Sequence, residues 1–229
     1  MCGRYTLAGK PVDLEKQLRA NLKQGAALKP AYNIAPGSAV AAVLCNDSNT
    51  IVHAKWGLTP AWSAQSRKPL FLVNLRDDTI KTKPTFKRYL ENRRCIIPAS
   101  GFYEWKLAGT KKQAYYFRCL QQEFMFFAGI WEPASDLNTD QNMVSILTTA
   151  ANSLVNPIHN RMPVILRPEQ ARRWLEGDAQ NQLAHLLQSY PAAEMECWPV
   201  SSRVNKVGID DPTLIEPVAD TPNLQTSLF

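Results

Sequence analysis

RCIIPASGFYEWK, residues 94–106, gathers β-branched and aromatic residues around one proline and one glycine. Such a run favours extended chain, where branched and ring side chains escape the crowding of a helical turn. Three runs of similar composition follow: QAYYFRCL at 113–120, FMFFAGIWE at 124–132 and MVSILTTAA at 143–151. Together they predict consecutive strands rather than strands alternating with helices. That order disfavours a doubly wound sheet and selects an α+β fold, with a mostly antiparallel, curved, barrel-like sheet flanked by short helices.

Working outward, AVAAVLC (39–45) and TIVHAKWGL (50–58) read as two strands around a turn of Asn46, Asp47 and Ser48. KPVDLEKQLRANLKQG (10–25) predicts a helix with Pro11 in its first turn, Leu14, Leu18 and Leu22 on one face and Gly25 as its stop. PTFKRYLENR (84–93), RPEQARRWLEG (167–177) and NQLAHLLQSY (181–190) also read as helices. PAYNIAPGS (30–38) reads as a loop, punctuated by Pro30, Pro36 and Gly37. The organisation expected is one unit over 1–215 and a flexible tail over 216–229.

With 229 residues, 45% of them hydrophobic and 20% charged, the composition is that of a soluble globular protein. No apolar run approaches the ~20 residues of a membrane helix, and no apolar stretch follows the start as in a secretory signal. A cytoplasmic, monomeric protein without membrane contact is expected. Its five cysteines are odd in number and never spaced as C-x-x-C, which argues against a disulfide framework and a zinc site. The formal net charge of +6 favours a polyanionic partner but does not specify one.

Cys2 differs from the other four cysteines by position, because loss of Met1 would leave it with a free amine beside its thiol. An α-amine, with a pKa of about 7.7–8.0, is roughly a tenth neutral at pH 7. It can attack an aldehyde to give an imine, and the thiol can then close a five-membered thiazolidine at high effective concentration. Glu104 lies between Tyr103 and Trp105, either as an outward-facing surface charge or in an apolar site that would raise its pKa and suit it to moving the protons of imine formation. His159 and Arg161 stand in the Pro-bounded loop NPIHNRMP. Asn74 and Arg76 alternate along VNLRDD and so face one side, where the amide could hold an amine and the arginine an anion.

MCGRYT, YNIAPG, WGLTPAW, NLRDDT, RCIIPASGFYEWK, TTAAN, IHNRMPVIL and PVSSRVN occur in one order, and with them the chain resembles the SOS-response-associated peptidase (SRAP) family from Cys2 to Asn205. That resemblance implies self-removal of Met1 and a covalent thiazolidine crosslink between Cys2 and abasic sites in single-stranded DNA, which protects the lesion during replication and SOS repair. It implies Cys2 as nucleophile, Glu104 as acid–base residue, and Asn74 and His159 as holders of the amine and the opened sugar. Arg4, Arg76 and Arg161 resemble the family's phosphate contacts, Trp62 an aromatic that stacks beside the lesion, and Pro36 and Thr149 further members of the groove. An autopeptidase with lyase-like action on abasic DNA, needing no cofactor and no metal, is the activity implied. Ala31, Lys55, Leu75 and Asp78 depart from the family pattern.

Two other readings use the same residues. An N-terminal-nucleophile cysteine amidohydrolase would turn the Cys2 thiol on an amide carbonyl. A plain single-strand binding module would use arginine and tryptophan alone, and would survive loss of Cys2. Separately, QTSLF at 225–229 resembles the pentapeptide by which bacterial repair proteins dock on the replication sliding clamp, with Gln225 bonding and Leu228 and Phe229 as anchors.

Overall fold

The branched and aromatic runs become strands in the computed structural model, which describes residues 2–24, 27–137, 139–177 and 183–218. A smaller sheet has the order β14 (Met195–Val200), β9 (Lys111–Cys119), β8 (Gly101–Ala108), β1 (Arg4–Leu7) and β3 (Ala31–Ile34). The larger sheet runs β12 (Arg161–Pro163), β11 (Met143–Ala150), β10 (Met125–Glu132), β7 (Arg94–Ala99), β4 (Ala39–Leu44), β5 (Asp47–Trp56) and β2 (Asn21–Leu22). To it are added β13 (Ile165–Leu166) on β10 and β6 (Asn74–Arg76) on β11. Among the described residues five short helices accompany the sheets: α1 (Pro11–Leu18), α2 (Ala61–Ala64), α3 (Asp77–Thr82), α4 (Pro84–Asn92) and α5 (Pro168–Glu176).

Among these strands the pairings β2–β5, β5–β11 and β6–β11 are parallel and the others antiparallel. The β5–β11 contact joins Lys55 to Met143 and Trp56 to Val144, so the larger sheet curls back on itself without sealing along its length. The α+β fold with a curved, mostly antiparallel core is as the sequence implies, built from two sheets rather than one closed barrel.

Residues 94–106 make two strands, not one. β7 ends at Ala99, the chain bends at Ser100, and β8 starts at Gly101 in the other sheet. A Cβ at Gly101 would stand 2.2 Å from the Tyr116 ring, so only glycine fits this crossing. β7 is buried throughout, whereas β8 divides its side chains between two cores. Phe102 joins the large cluster, and Tyr103 joins a smaller one with Tyr116, Val200, Val204 and Leu214.

Three other expectations need correction. α1 stops at Leu18, because Arg19 turns left-handed (φ 51°) and its N–H is taken by the Lys16 carbonyl. Leu22 instead enters β2 beside Ile51 of β5, and Gly25 lies outside the described residues. Residues 31–34, read as loop, form the edge strand β3 between the two prolines, which an edge tolerates. Residues 183–190 hold one 3-10 turn, Ala184–Leu186, rather than an α-helix. The Leu187 and Tyr190 carbonyls accept from Thr149 and Asn152, partners that a continuing helix would have excluded. No helix among the described residues is long and apolar enough to cross a membrane. Residues 219–229, and with them Gln225, Leu228 and Phe229, lie outside the described residues.

Candidate active site

The site forms where the smaller sheet meets β6 and the loop before β12. Cys2, just ahead of β1, is fully buried. Its carbonyl accepts a hydrogen bond from Asn74 Nδ2 at 2.8 Å, and its thiol approaches the Arg4 carbonyl oxygen at 3.7 Å. Burial pushes the thiol pKa far up, and the nearby Glu104 carboxylate pushes it further. The resting group is therefore a thiol, not a thiolate. Asn74 reaches Cys2 because β6 pairs with β11 through Ile146, with Leu75 turned into the core between the two flanking residues. Its Oδ1 is buried and accepts no hydrogen bond among the described residues.

Glu104 is 2% exposed, on the face of β8 that looks toward the large core. Burial raises its carboxyl from an ordinary 4.5 to about 7. A carboxyl so poised is half protonated near neutral pH and can give or take a proton. His159 Nδ1 lies 3.0 Å from the Arg161 N and 3.1 Å from the Arg161 carbonyl oxygen, so the backbone of its own loop holds the ring in place. Burial lowers the pKa of this imidazole and favours the neutral ring. Arg4, Glu104, Trp105, Leu107, Lys112, His159 and Asn205 line one groove of about 480 Å³.

The structure therefore brings Cys2, Asn74, Glu104 and His159 to one corner, with Arg4 at the groove wall. Arg4 also donates to Asn33 Oδ1 at 2.6 Å and to the Val204 carbonyl at 2.7 Å. The other expected contacts do not line this groove. Arg76 is exposed and paired with Asp78, whose carboxyl it holds down at about 2. Arg161 is nearly buried against Asp77 at 2.7 Å. Thr149 is buried, its hydroxyl 3.4 Å from Asp77 Oδ2 and 3.5 Å from the Leu187 carbonyl. Pro36 is exposed beside Gly37, and Trp62 is half exposed on α2.

Sequence reasoning did not single out Trp105, Lys112 or Asn205 as lining residues. Trp105 Nε1 donates to Asn205 Oδ1 at 2.8 Å, joining β8 to the turn after β14. Their signal was present, since Trp105 follows Glu104 and Asn205 closes PVSSRVN. Among the described residues no cluster of His, Cys, Asp and Glu is arranged to hold a metal.

A buried cysteine at position 2, bonded through its carbonyl to an amide and set near a carboxyl and an imidazole, defines a class of cysteine-centred sites beside an open groove. Residues 1–207 match the SOS response associated peptidase (SRAP) family, and the chain belongs to that family. Over 226 residues it is 36% identical to Abasic site processing protein YoqW of Bacillus subtilis, covering 94% of this chain and 99% of that one. It is 29% identical to Abasic site processing protein YedK of Escherichia coli, covering 95% and 100%. It is also 29% identical to Abasic site processing protein HMCES of Xenopus tropicalis, covering 90% and 75%. A crystallised protein from Bacteroides thetaiotaomicron shares the fold, with a TM-score of 0.83 at 24% identity, covering 95% of this chain and all of that one.

Proposed function

We propose that this protein processes abasic sites in single-stranded DNA by bonding to them through Cys2. The names of its relatives support the substrate, and the geometry around Cys2 supports the chemistry. Removal of Met1, by the protein itself, exposes the amine. Its lone pair attacks the C1′ aldehyde of the opened sugar, and water leaves to give an imine. The thiol then adds across the imine, its proton passing to nitrogen, and a thiazolidine closes with no net oxidation. Because burial keeps the thiol protonated, the amine must attack first and the sulfur second.

Glu104, with its pKa near 7, serves this order: it protonates the departing hydroxyl and accepts the thiol proton. The free Oδ1 of Asn74 is an acceptor for the amine, and the His159 ring, kept neutral by burial, a hydrogen-bond partner for a sugar oxygen. Arg4 and Lys112 supply positive charge along the groove, the exposed Arg76 and the nearly buried Arg161 would each exchange an aspartate for a backbone phosphate beyond it, and Trp62 offers a face to a base. The same acid–base pair would let the bond reverse, and lyase-like strand scission would proceed from the imine. Docking on a sliding clamp through Gln225, Leu228 and Phe229 is a separate proposal, tested by deleting residues 225–229 and measuring clamp affinity.

The juxtaposition of Cys2 with the raised Glu104 carboxyl carries this reading. Intact-mass measurement tests it directly. Protein lacking Met1 should gain the mass of an abasic oligonucleotide less one water, and Cys2→Ala should gain nothing. An equal adduct on Cys2→Ala, or on protein that keeps Met1, would overturn it.

A further inference from the structure

Glu132 ends β10 with its side chain 1% exposed, in a strand that is otherwise entirely apolar and buried. Its Oε1 accepts the Ala61 N–H at 2.9 Å and stands 3.6 Å from Arg88 Nη2. Its Oε2 is buried and meets no partner in good hydrogen-bond geometry among the described residues, although the Tyr89 hydroxyl lies near the carboxyl. A buried carboxyl left half satisfied costs stability, and an apolar residue of similar volume packs more favourably. Stability therefore does not account for a glutamate here.

What the carboxyl holds does account for it. α2 begins after Pro60 with no side-chain cap, so Glu132 takes one of its orphan N–H groups from across the fold. Arg88 belongs to α4, and two residues before it Phe86 meets the Trp62 ring edge-on, 6.2 Å between centroids. One buried carboxyl thus ties down both the helix that carries Trp62 and the helix that supports its ring. Trp62 itself is 50% exposed.

We propose that Glu132 is a positioning residue for DNA capture, fixing the Trp62 platform on which a base of the captured strand stacks. This rests on the function proposed above and adds a residue about which motif reading gives no hint. A rigid platform loses less freedom when a base settles on it, so a loosened Trp62 slows capture of DNA and leaves the sugar chemistry alone.

The test compares Glu132→Leu, Glu132→Gln, Trp62→Phe and the double variant Trp62→Phe/Glu132→Leu. Glu132→Leu should stay folded with Tm within a few degrees of wild type, the cost of baring the part-buried Ala61 N–H being offset by better packing. It should form the abasic-oligonucleotide adduct about tenfold more slowly, the size of one lost base stack, yet react with free 2-deoxyribose at the wild-type rate. Glu132→Gln, which keeps an oxygen for the Ala61 N–H, should recover most of the loss. In the Trp62→Phe background, the Leu substitution should slow capture much less than tenfold. A full tenfold loss in both backgrounds, or an unchanged DNA rate, overturns the proposal. If Glu132→Leu fails to fold, Arg88→Met at its half-exposed site carries the same comparison.

A wild-type protein that forms no adduct at all would end the proposed function instead. 19F NMR of 5-fluorotryptophan-labelled protein still decides the positioning role in that event. The resonance missing from Trp62→Phe should be single in wild type and shifted or split in Glu132→Leu. An unmoved resonance overturns the role.

Discussion

The two ends of RCIIPASGFYEWK carry buried charged residues with opposite fates. At one end Arg94 is 4% exposed, and its guanidinium is saturated by backbone. Nε donates to the Trp174 carbonyl, Nη1 to Leu90 and Glu91, and Nη2 to Leu175 and Gly177. These carbonyls close α4 and α5, so one cation satisfies two helix C-termini and the negative ends of both dipoles. At the other end Glu104 is equally buried, but its surroundings raise its pKa to about 7. A buried charge with every donor matched is architecture. A buried acid poised between its two protonation states is available for chemistry.

Replacing Arg94 should therefore break the fold rather than the site. Arg94→Met leaves five carbonyls at two helix ends without their donor, and a cost of about 3–5 kcal/mol is expected. For a chain of this size that lowers Tm by roughly 6–20 °C, readable by calorimetry. Below the new Tm, adduct formation per folded molecule should match wild type. A small Tm change with a large loss of adduct would reverse the roles assigned to the two ends.

The succession of strands along 94–151 and the α+β class were legible because branched and aromatic runs have one physical reading, burial in a sheet. The crossing between sheets at Ser100 was not. It depends on Gly101 lying against the Tyr116 ring, a contact between residues 15 apart that no local pattern encodes. β3 was hidden for a related reason, since two prolines signal a loop until an edge position excuses them. Position, composition and alternation along VNLRDD drew attention to Cys2, Glu104 and Asn74, but each run alone fitted an ordinary structural role equally, and only the eight ordered motifs joined them into one candidate site. Arg161 could not be separated from Arg76 by sequence, because only the fold presses Arg161 against Asp77 and leaves Arg76 in solvent.

Glu104 yields the next largest effect, with a definite sign. Its folded pKa of about 7 exceeds the ordinary 4.5, so between these values the folded state binds the extra proton. Its contribution is then complete below pH 4.5 and is lost as pH rises through 7, amounting to at most about 3 kcal/mol. Denaturant melts at pH 5 and pH 8 should show wild type losing stability relative to Glu104→Gln by that order. Arg94→Met should retain this difference at lower overall stability. Parallel pH profiles for wild type and Glu104→Gln would mean that the carboxyl titrates normally and that the contrast between the two ends is false.

Ser100, the bend that separates these ends, gives the smallest and most local effect. Its hydroxyl accepts the Ala8 N–H at 3.0 Å and lies 2.8 Å from Thr6 Oγ1, which is itself 2.9 Å from the Tyr116 hydroxyl. This chain of hydroxyls fastens the crossing to β1, the strand that follows Cys2. Ser100→Ala removes the acceptor for one N–H and shortens the chain, at a cost of about 1–2 kcal/mol. The backbone bond from the Ser100 N–H to the Thr6 carbonyl, 2.7 Å long, should hold the register. Adduct formation by Ser100→Ala should fall only slightly, because β1 stays paired to β8 from Arg4 to Thr6. A loss of adduct as deep as that of Cys2→Ala, with little change in melting, would instead make the crossing part of the catalytic corner and erase the division between an architectural end and a chemical one.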